Sequence, residues 1–249
     1  MVKLNKLFVI TLFLLLSNSF KSQHLTSVDM VSVCQNFNDL NNTILNNTIN
    51  KKSAVLLFKF QLQLINKTYK KQVGFDTNLT QLVFPIQGYN YKAIGGKNGN
   101  GYLPAGFNYF DGNNHKGHAA HDIFINDKNQ DELDDKTFKP VNILAMSSGV
   151  VIAMSQKWDS TSTVRGGKFI YVYNPTSNFI YYYAHCKDIK VKIGDVIKPK
   201  QVIATVGRTG LNAFKKRSPT HLHLMVLKLD AHFYPKPINS YNLLLKSKF

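Results

Sequence analysis

Short apolar runs dominate the chain from residue 118 onward. The segments "HDIFI", "VNILAMSSGVVIAMS", "GGKFIYVYNP", "FIYYYAHC", "IKVKIGDVIKPKQVIATVG" and "HLHLMVLKL" follow one another, separated by Gly, Asn-Pro and Ser. Runs this short, rich in Val, Ile, Tyr and Phe, predict a mainly β, antiparallel domain, because branched and aromatic side chains suit a pleated, half-buried surface. "YNPTSNFIYYY" predicts a hairpin whose two aromatic strands flank "NPTSN". A further strand is expected in "TQLVFPIQGY" (80–89), closed by its Pro and Gly. Upstream the spacing changes. "SVDMVSVCQNFNDLNNTI" and "KKSAVLLFKFQLQLINKTYKK" predict a smaller, mostly helical segment. Within it the run "AVLLFKFQLQLI" (54–65) must bury against the β domain or another copy. Residues 93–117 are glycine-rich and read as loop. The expected organisation is an accessory segment over 23–79, the β domain over 80–235 and a tail over 236–249.

The first residues follow another pattern. Lys3 and Lys6 precede the apolar run "LFVITLFLLLSNSF", which ends at "KS". A basic start, an apolar core and a short polar end predict a secretory signal peptide over 1–22, cleaved near residue 22. The product is then exported, to the periplasm or beyond the cell, with about 227 residues. That is room for one domain and an N-terminal extension. The apolar core falls short of the ~20 residues of a membrane span. No other run is longer, so no transmembrane anchor is expected.

The formal charge is +17, and the leader contributes Lys3, Lys6 and Lys21 to it, leaving about +14. A basic exported protein suits a polyanionic partner such as a cell wall, although a Lys-, Asn- and Ile-rich composition raises charge without any partner. With three arginines (Arg165, Arg208, Arg217) and no basic–aromatic interleaving, nucleic acid is not expected as a partner. Cys34 and Cys186 are the two cysteines. Export permits a disulfide between them, but the apolar setting of Cys186 favours simple packing.

"SPTHLHLMV" (218–226) places His221 and His223 in a run that reads as a buried strand. Residues i and i+2 of a strand share a face, so both imidazoles look the same way, about 7 Å apart along the backbone. Hydrogen-bonded core histidines would explain the pair unless other residues complete a site. "GHAAHDIFI" supplies such residues. In an extended backbone His118, Ala120 and Asp122 share a face while His121 turns away. An imidazole and a carboxylate separated by a small residue can clamp a metal, with one more imidazole from a neighbouring strand completing three ligands. The HxH pair can supply that imidazole and leave the other ring unligated.

Taken together, "HAAHD" (118–122), "YYAHC" (182–186), "HLH" (221–223) and the ribbon "VKIGDVIKPKQVIATVGRTG" (191–210) closely resemble the lysostaphin-like, LytM-type zinc metallopeptidases of the M23 family. The resemblance spans roughly residues 80–230. It implies an antiparallel β-sheet metallopeptidase domain. It also implies that His118, Asp122 and His223 hold Zn2+, while His185 and His221 are unligated catalytic histidines. The implied activity is hydrolysis of peptide bonds in bacterial peptidoglycan stem peptides or cross-bridges, or in a glycine-rich protein. Ala120 stands where many relatives have Gly, and Cys186 where an aliphatic residue is usual. Both are small swaps. "HLHLMV" lacks the acidic residue common just after the motif, which bears on how His223 is oriented. His115 and His121 match no ligand and are read as surface or supporting residues.

Two rival readings differ in class. A facial-triad Fe(II) oxygenase also uses two histidines and a carboxylate. Here, however, the first spacing is H-x-x-x-D, and no Arg follows Arg217 to hold a cosubstrate. A catalytically silent relative, regulating other wall hydrolases, would typically lack zinc ligands, whereas all five positions are filled here. Finally, "NDKNQDELDD" (126–135) holds five of the fourteen acids. Asp127, Asn129 and Asp131 have the alternating oxygens of a calcium loop, but Glu132 stands where Gly makes the sharp turn. A solvated acidic loop is the plainer reading.

Overall fold

A computed structural model of the protein describes residues 29–74 and 82–248. The expected signal peptide lies outside the described residues, and so does the start of the expected 80–89 strand. Among the described residues no helix is long and apolar enough to cross a membrane.

The N-terminal segment is a helical hairpin. Helix α1 (Met30–Leu45) starts at Asp29, whose carboxylate accepts the Ser32 N–H. Helix α2 (Lys51–Gln72) starts at Asn50, whose side chain accepts the Ser53 N–H. Each cap satisfies a main-chain donor that the first turn leaves free. Helical spacing then sorts the apolar run. Ala54, Phe58, Leu62 and Ile65 face inward, while Leu56, Leu57 and Phe60 stay exposed, so only half of 54–65 buries as expected.

The rest of the chain forms two antiparallel sheets. The larger contains β1 (His121–Phe124), β3 (Gly149–Ser155), β4 (Phe169–Asn174), β5 (Phe179–Ala184), β7 (Val196–Ile197), β9 (His221–Leu229) and β10 (Pro235–Ile238). Its order is β1-β9-β5-β4-β3-β7, with β10 paired beside β9. The smaller sheet has the order β2-β8-β6, from β2 (Asn142–Leu144), β6 (Cys186–Ile189) and β8 (Val202–Val206). β4 and β5 form the expected hairpin, with Asn174 opposite Phe179. The expected strand over 80–89 is reduced to bridges at Val83 and Ile86. Pro85 between them has no N–H to continue a ladder. Residues 236–248 continue the fold through β10 and a short helix α3 (Tyr241–Lys246), which buries Leu244.

Period-2 alternation splits the core in two. On β4, Phe169, Tyr171 and Tyr173 point to the face covered by α1 and α2, and Ile170 and Val172 point toward the small sheet. On β9, Met225, Leu227 and Leu229 join the helical face, and Leu222, Leu224 and Val226 the other. His221 and His223 therefore continue the row that α1 and α2 cover further along the strand. Cys34 and Cys186 belong to the two different cores and are both free, which removes the disulfide option.

Helix α1 is fastened to the sheet by named contacts. Asn38 Oδ1 accepts the Met154 N–H of β3 at 3.1 Å, and Tyr109 donates its hydroxyl to Asn41 Oδ1 at 2.7 Å. Phe58 packs edge-on against Tyr109 and Phe110. Replacing buried Asn38 by Ala leaves the Met154 N–H without its acceptor and is expected to cost about 1–3 kcal/mol. Thermal denaturation checks this, and an unchanged melting temperature would mean that the contact does not fasten the helix.

Candidate metal centre and catalytic groove

Strand register brings the separated motifs to one level. His118 exchanges both main-chain hydrogen bonds with Leu103, at 2.7 Å each, and the backbone then bends at Ala120 before β1 begins at His121. Asp122 on β1 lies opposite His223 on β9, and His223 lies opposite Ala184 at the end of β5. His185 follows immediately in a left-handed conformation, φ +64°. A non-glycine residue held there costs about 1–3 kcal/mol unless its surroundings enforce it. Here its main-chain N–H is fixed by the Gly166 carbonyl at 2.9 Å.

Three donor atoms converge on one point. His118 Nε2 is 3.2 Å and His223 Nδ1 2.9 Å from the same Asp122 oxygen, and the three ligand atoms lie within 4.8 Å of one another. Two donors of a tetrahedral zinc sit about 3.4 Å apart, given metal–ligand bonds near 2.0–2.2 Å. The spacing therefore fits such an ion. So does the proton arrangement. His118 Nδ1 is 2.9 Å from the Gly101 carbonyl, which can only accept, so that nitrogen carries the proton. In a neutral ring Nε2 then aims a lone pair at the Asp122 oxygen, a contact that calls for a cation or a proton between them. Without a cation the local charges settle on protonation. Burial pushes the Asp122 carboxyl up, but hydrogen bonds from His118 and His223 outweigh it and hold it far below the usual carboxylate range. The Asp122 hydrogen bond raises His118, whereas burial lowers His223 despite the same partner.

His185 and His221 stand beside this trio, unattached to it by a short bond. Their rings are 4.8 Å apart edge to face, and His185 is 5.5 Å from the His223 ring. His185 Nδ1 is 2.7 Å from the Thr209 carbonyl and His221 Nδ1 2.7 Å from the Pro219 carbonyl. Each carbonyl fixes the tautomer, leaving Nε2 as the open nitrogen. Burial lowers the His185 pKa well below its ordinary value, with His221 and His223 adding to the shift. That shift favours the neutral ring. All five residues line one cavity of about 230 Å³.

The model of Peptidase family M23 matches residues 133–235. Over that span the chain is similar to peptidase family M23. The matched span contains His185, His221 and His223 and begins after His118 and Asp122, which the structure nonetheless joins to them. Among solved structures, the chain is similar to the catalytic domain of the antimicrobial peptidase lysostaphin from Staphylococcus simulans. Identity there is 23%, over 58% of this chain and 86% of that one, with a TM-score of 0.38. It is also similar to a zinc containing peptidase from Vibrio cholerae (20% identity, 64% and 39% of the two chains, TM-score 0.40). A third is Csd3 of Helicobacter pylori (20% identity, 65% and 34%, TM-score 0.36). The chain thus spans little more than a third of the latter two. No curated protein matches it.

Several groups around the site carried no signal in the residue pattern. The carbonyls of Gly101, Thr209 and Pro219 orient three histidines, and backbone oxygens cannot be read from residue identity. The cavity also draws Asn41, Ile44 and Leu45 from the end of α1. Tyr182 packs edge-on to His223, with ring centroids 6.1 Å apart. His115 lines the cavity too, whereas His121 is fully buried away from it, with Nε2 3.0 Å from Asn239 Oδ1. His121 is thus neither at the surface nor supporting the metal residues. In the acidic loop Asp127 accepts the Asp131 and Glu132 N–H groups and the Thr220 hydroxyl, and Asn129 donates to Asp131. Those bonds tie the loop together and, through Thr220, to the residue before β9, and Glu132 adopts the left-handed turn at φ +67°.

Gly210 holds His185 from behind. At φ +115° an added Cβ would lie 2.4 Å from the Arg165 carbonyl and 2.8 Å from His185 Nδ1. Gly210→Ala is expected to cost about 1–3 kcal/mol of stability and to lower kcat while metal content stays unchanged. Melting and metal analysis check it, and a variant as stable and active as the parent would remove this contact from the account.

Proposed function

We propose that the protein is an exported, zinc-dependent endopeptidase that hydrolyses peptide bonds in peptidoglycan stem peptides or cross-bridges. The observation that supports it is the meeting of His118 Nε2, Asp122 Oδ1 and His223 Nδ1, with the open Nε2 atoms of His185 and His221 alongside. His118, Asp122 and His223 would hold the ion, with the Gly101 carbonyl orienting His118 from outside. Zinc, when bound, supplies charge that polarises a carbonyl and acidifies a neighbouring water.

The remaining work falls to the chain. The neutral Nε2 of one unligated histidine accepts a proton and later returns it to the leaving amine. The other donates a hydrogen bond to the oxygen that gains charge. Donation needs a proton on Nε2, so the pair must share one proton beyond their two Nδ1 hydrogens. The basic surface suits an anionic wall polymer. The test is digestion of purified peptidoglycan and of a glycine-rich protein, with mass analysis of the new termini. New amino and carboxyl ends in the peptide part of the wall are expected. Cleavage of the protein alone, or of neither, would count against this substrate.

A further inference from the structure

The three arginines occupy unlike settings. Arg217 is exposed. Arg208 is buried and its guanidinium donates three bonds, to the Ser218 and Lys215 carbonyls and the Thr220 hydroxyl, which makes it a structural strut. Arg165 is different. It is half-buried in the wall of the cavity that holds the five site residues, and one nitrogen donates to the His115 carbonyl. It makes no ion pair among the described residues. Among the described residues Asp122 is the sole carboxylate lining that cavity, and three histidines already crowd it.

The main chain at Arg165 is held from several sides. Its N–H donates to Asn113 Oδ1 at 3.0 Å, and the Asn113 amide returns a bond to the Thr163 carbonyl at 2.9 Å. The neighbouring Val164 carbonyl accepts the Leu211 N–H at 3.1 Å. A rigid mount, a partly unused planar fork and the positive charge felt at His118 and Tyr182 form a built recognition group. Its natural complement is a planar anion that accepts two parallel hydrogen bonds.

We infer that Arg165 determines specificity by holding a carboxylate of the bound peptide beside the bond to be cut. That carboxylate is either the free C-terminus of the peptide or the side chain of an internal acidic residue. The inference rests on the peptidase reading for its context, but its test does not depend on turnover.

Binding of three dansyl peptides to the full chain, with and without zinc, would be followed by fluorescence anisotropy. They are tri-alanine with a free carboxylate, its C-terminal amide, and the Ala-Glu-Ala amide. At least one carboxylate peptide should bind roughly 10–100-fold more tightly than the plain amide. Whichever of the two does so identifies the source. Arg165→Gln should abolish the difference, and Arg165→Lys should restore part of it, since lysine keeps the charge without the fork. Equal affinities for all three peptides, or no binding of any, would overturn the inference. So would a preference that survives Arg165→Gln, because a metal or a surface lysine would then hold the carboxylate. If the preference is present but no peptide bond is ever cut, the peptidase reading falls while the role of Arg165 stands.

Discussion

Replacing His118 or Asp122 by Ala is expected to strip zinc from the protein and abolish hydrolysis. Each change removes one of only three protein donors, and three is the smallest set that holds a catalytic zinc. The loss should exceed the ~10–100-fold weakening typical of deleting an outer hydrogen bond to a ligand. Asp122→Ala should be at least as severe as His118→Ala, because Asp122 faces His118 and His223 at 3.2 and 2.9 Å and lies 3.6 Å from His221. The imidazoles that remain still take up protons as pH falls, so any residual metal should be bound more weakly at low pH. Metal analysis after mild chelation measures this. Stoichiometric zinc in either variant would break the ligand assignment.

His185→Ala and His221→Ala should behave in the opposite way, keeping zinc and losing about 10²–10⁴ in kcat. The structural reason lies in the outward bonds of the two rings. Both are anchored by Nδ1 to main-chain carbonyls, and neither approaches the donor trio within a short hydrogen bond. His221 lies on the face shared with His223, and the zinc contents of their two variants separate the roles. Loss of zinc from the His221 variant with retention in the His223 variant would exchange the two halves of "HLH".

Much of this site could be read from residue spacing because strands impose it. A period of two places His221 with His223, whereas a bend at Ala120 separates His118 from the strand that carries Asp122. The aromatic hairpin and the helical N-terminal segment were readable for the same reason, since periodicity follows burial. The 80–89 strand failed because Pro85 interrupts the ladder, a local effect that outweighed an apolar run. Arg165 was invisible as a site residue. It belongs to an irregular turn whose position depends on Asn113 and Gly210, distant in sequence. The contribution of α1 was hidden likewise. Its apolar stripe announced burial, but not that Asn41, Ile44 and Leu45 would end at the groove.

The central claim is that five residues from three motifs make a metal-dependent peptidase. The most direct measurement is release of soluble fragments from purified peptidoglycan through one cycle of chelation and zinc return. Release should stop when zinc is removed and recover when one equivalent per chain is restored, with each fragment carrying a newly formed peptide terminus. Release that persists in the metal-free protein would contradict the account, and so would a zinc-loaded chain that releases nothing.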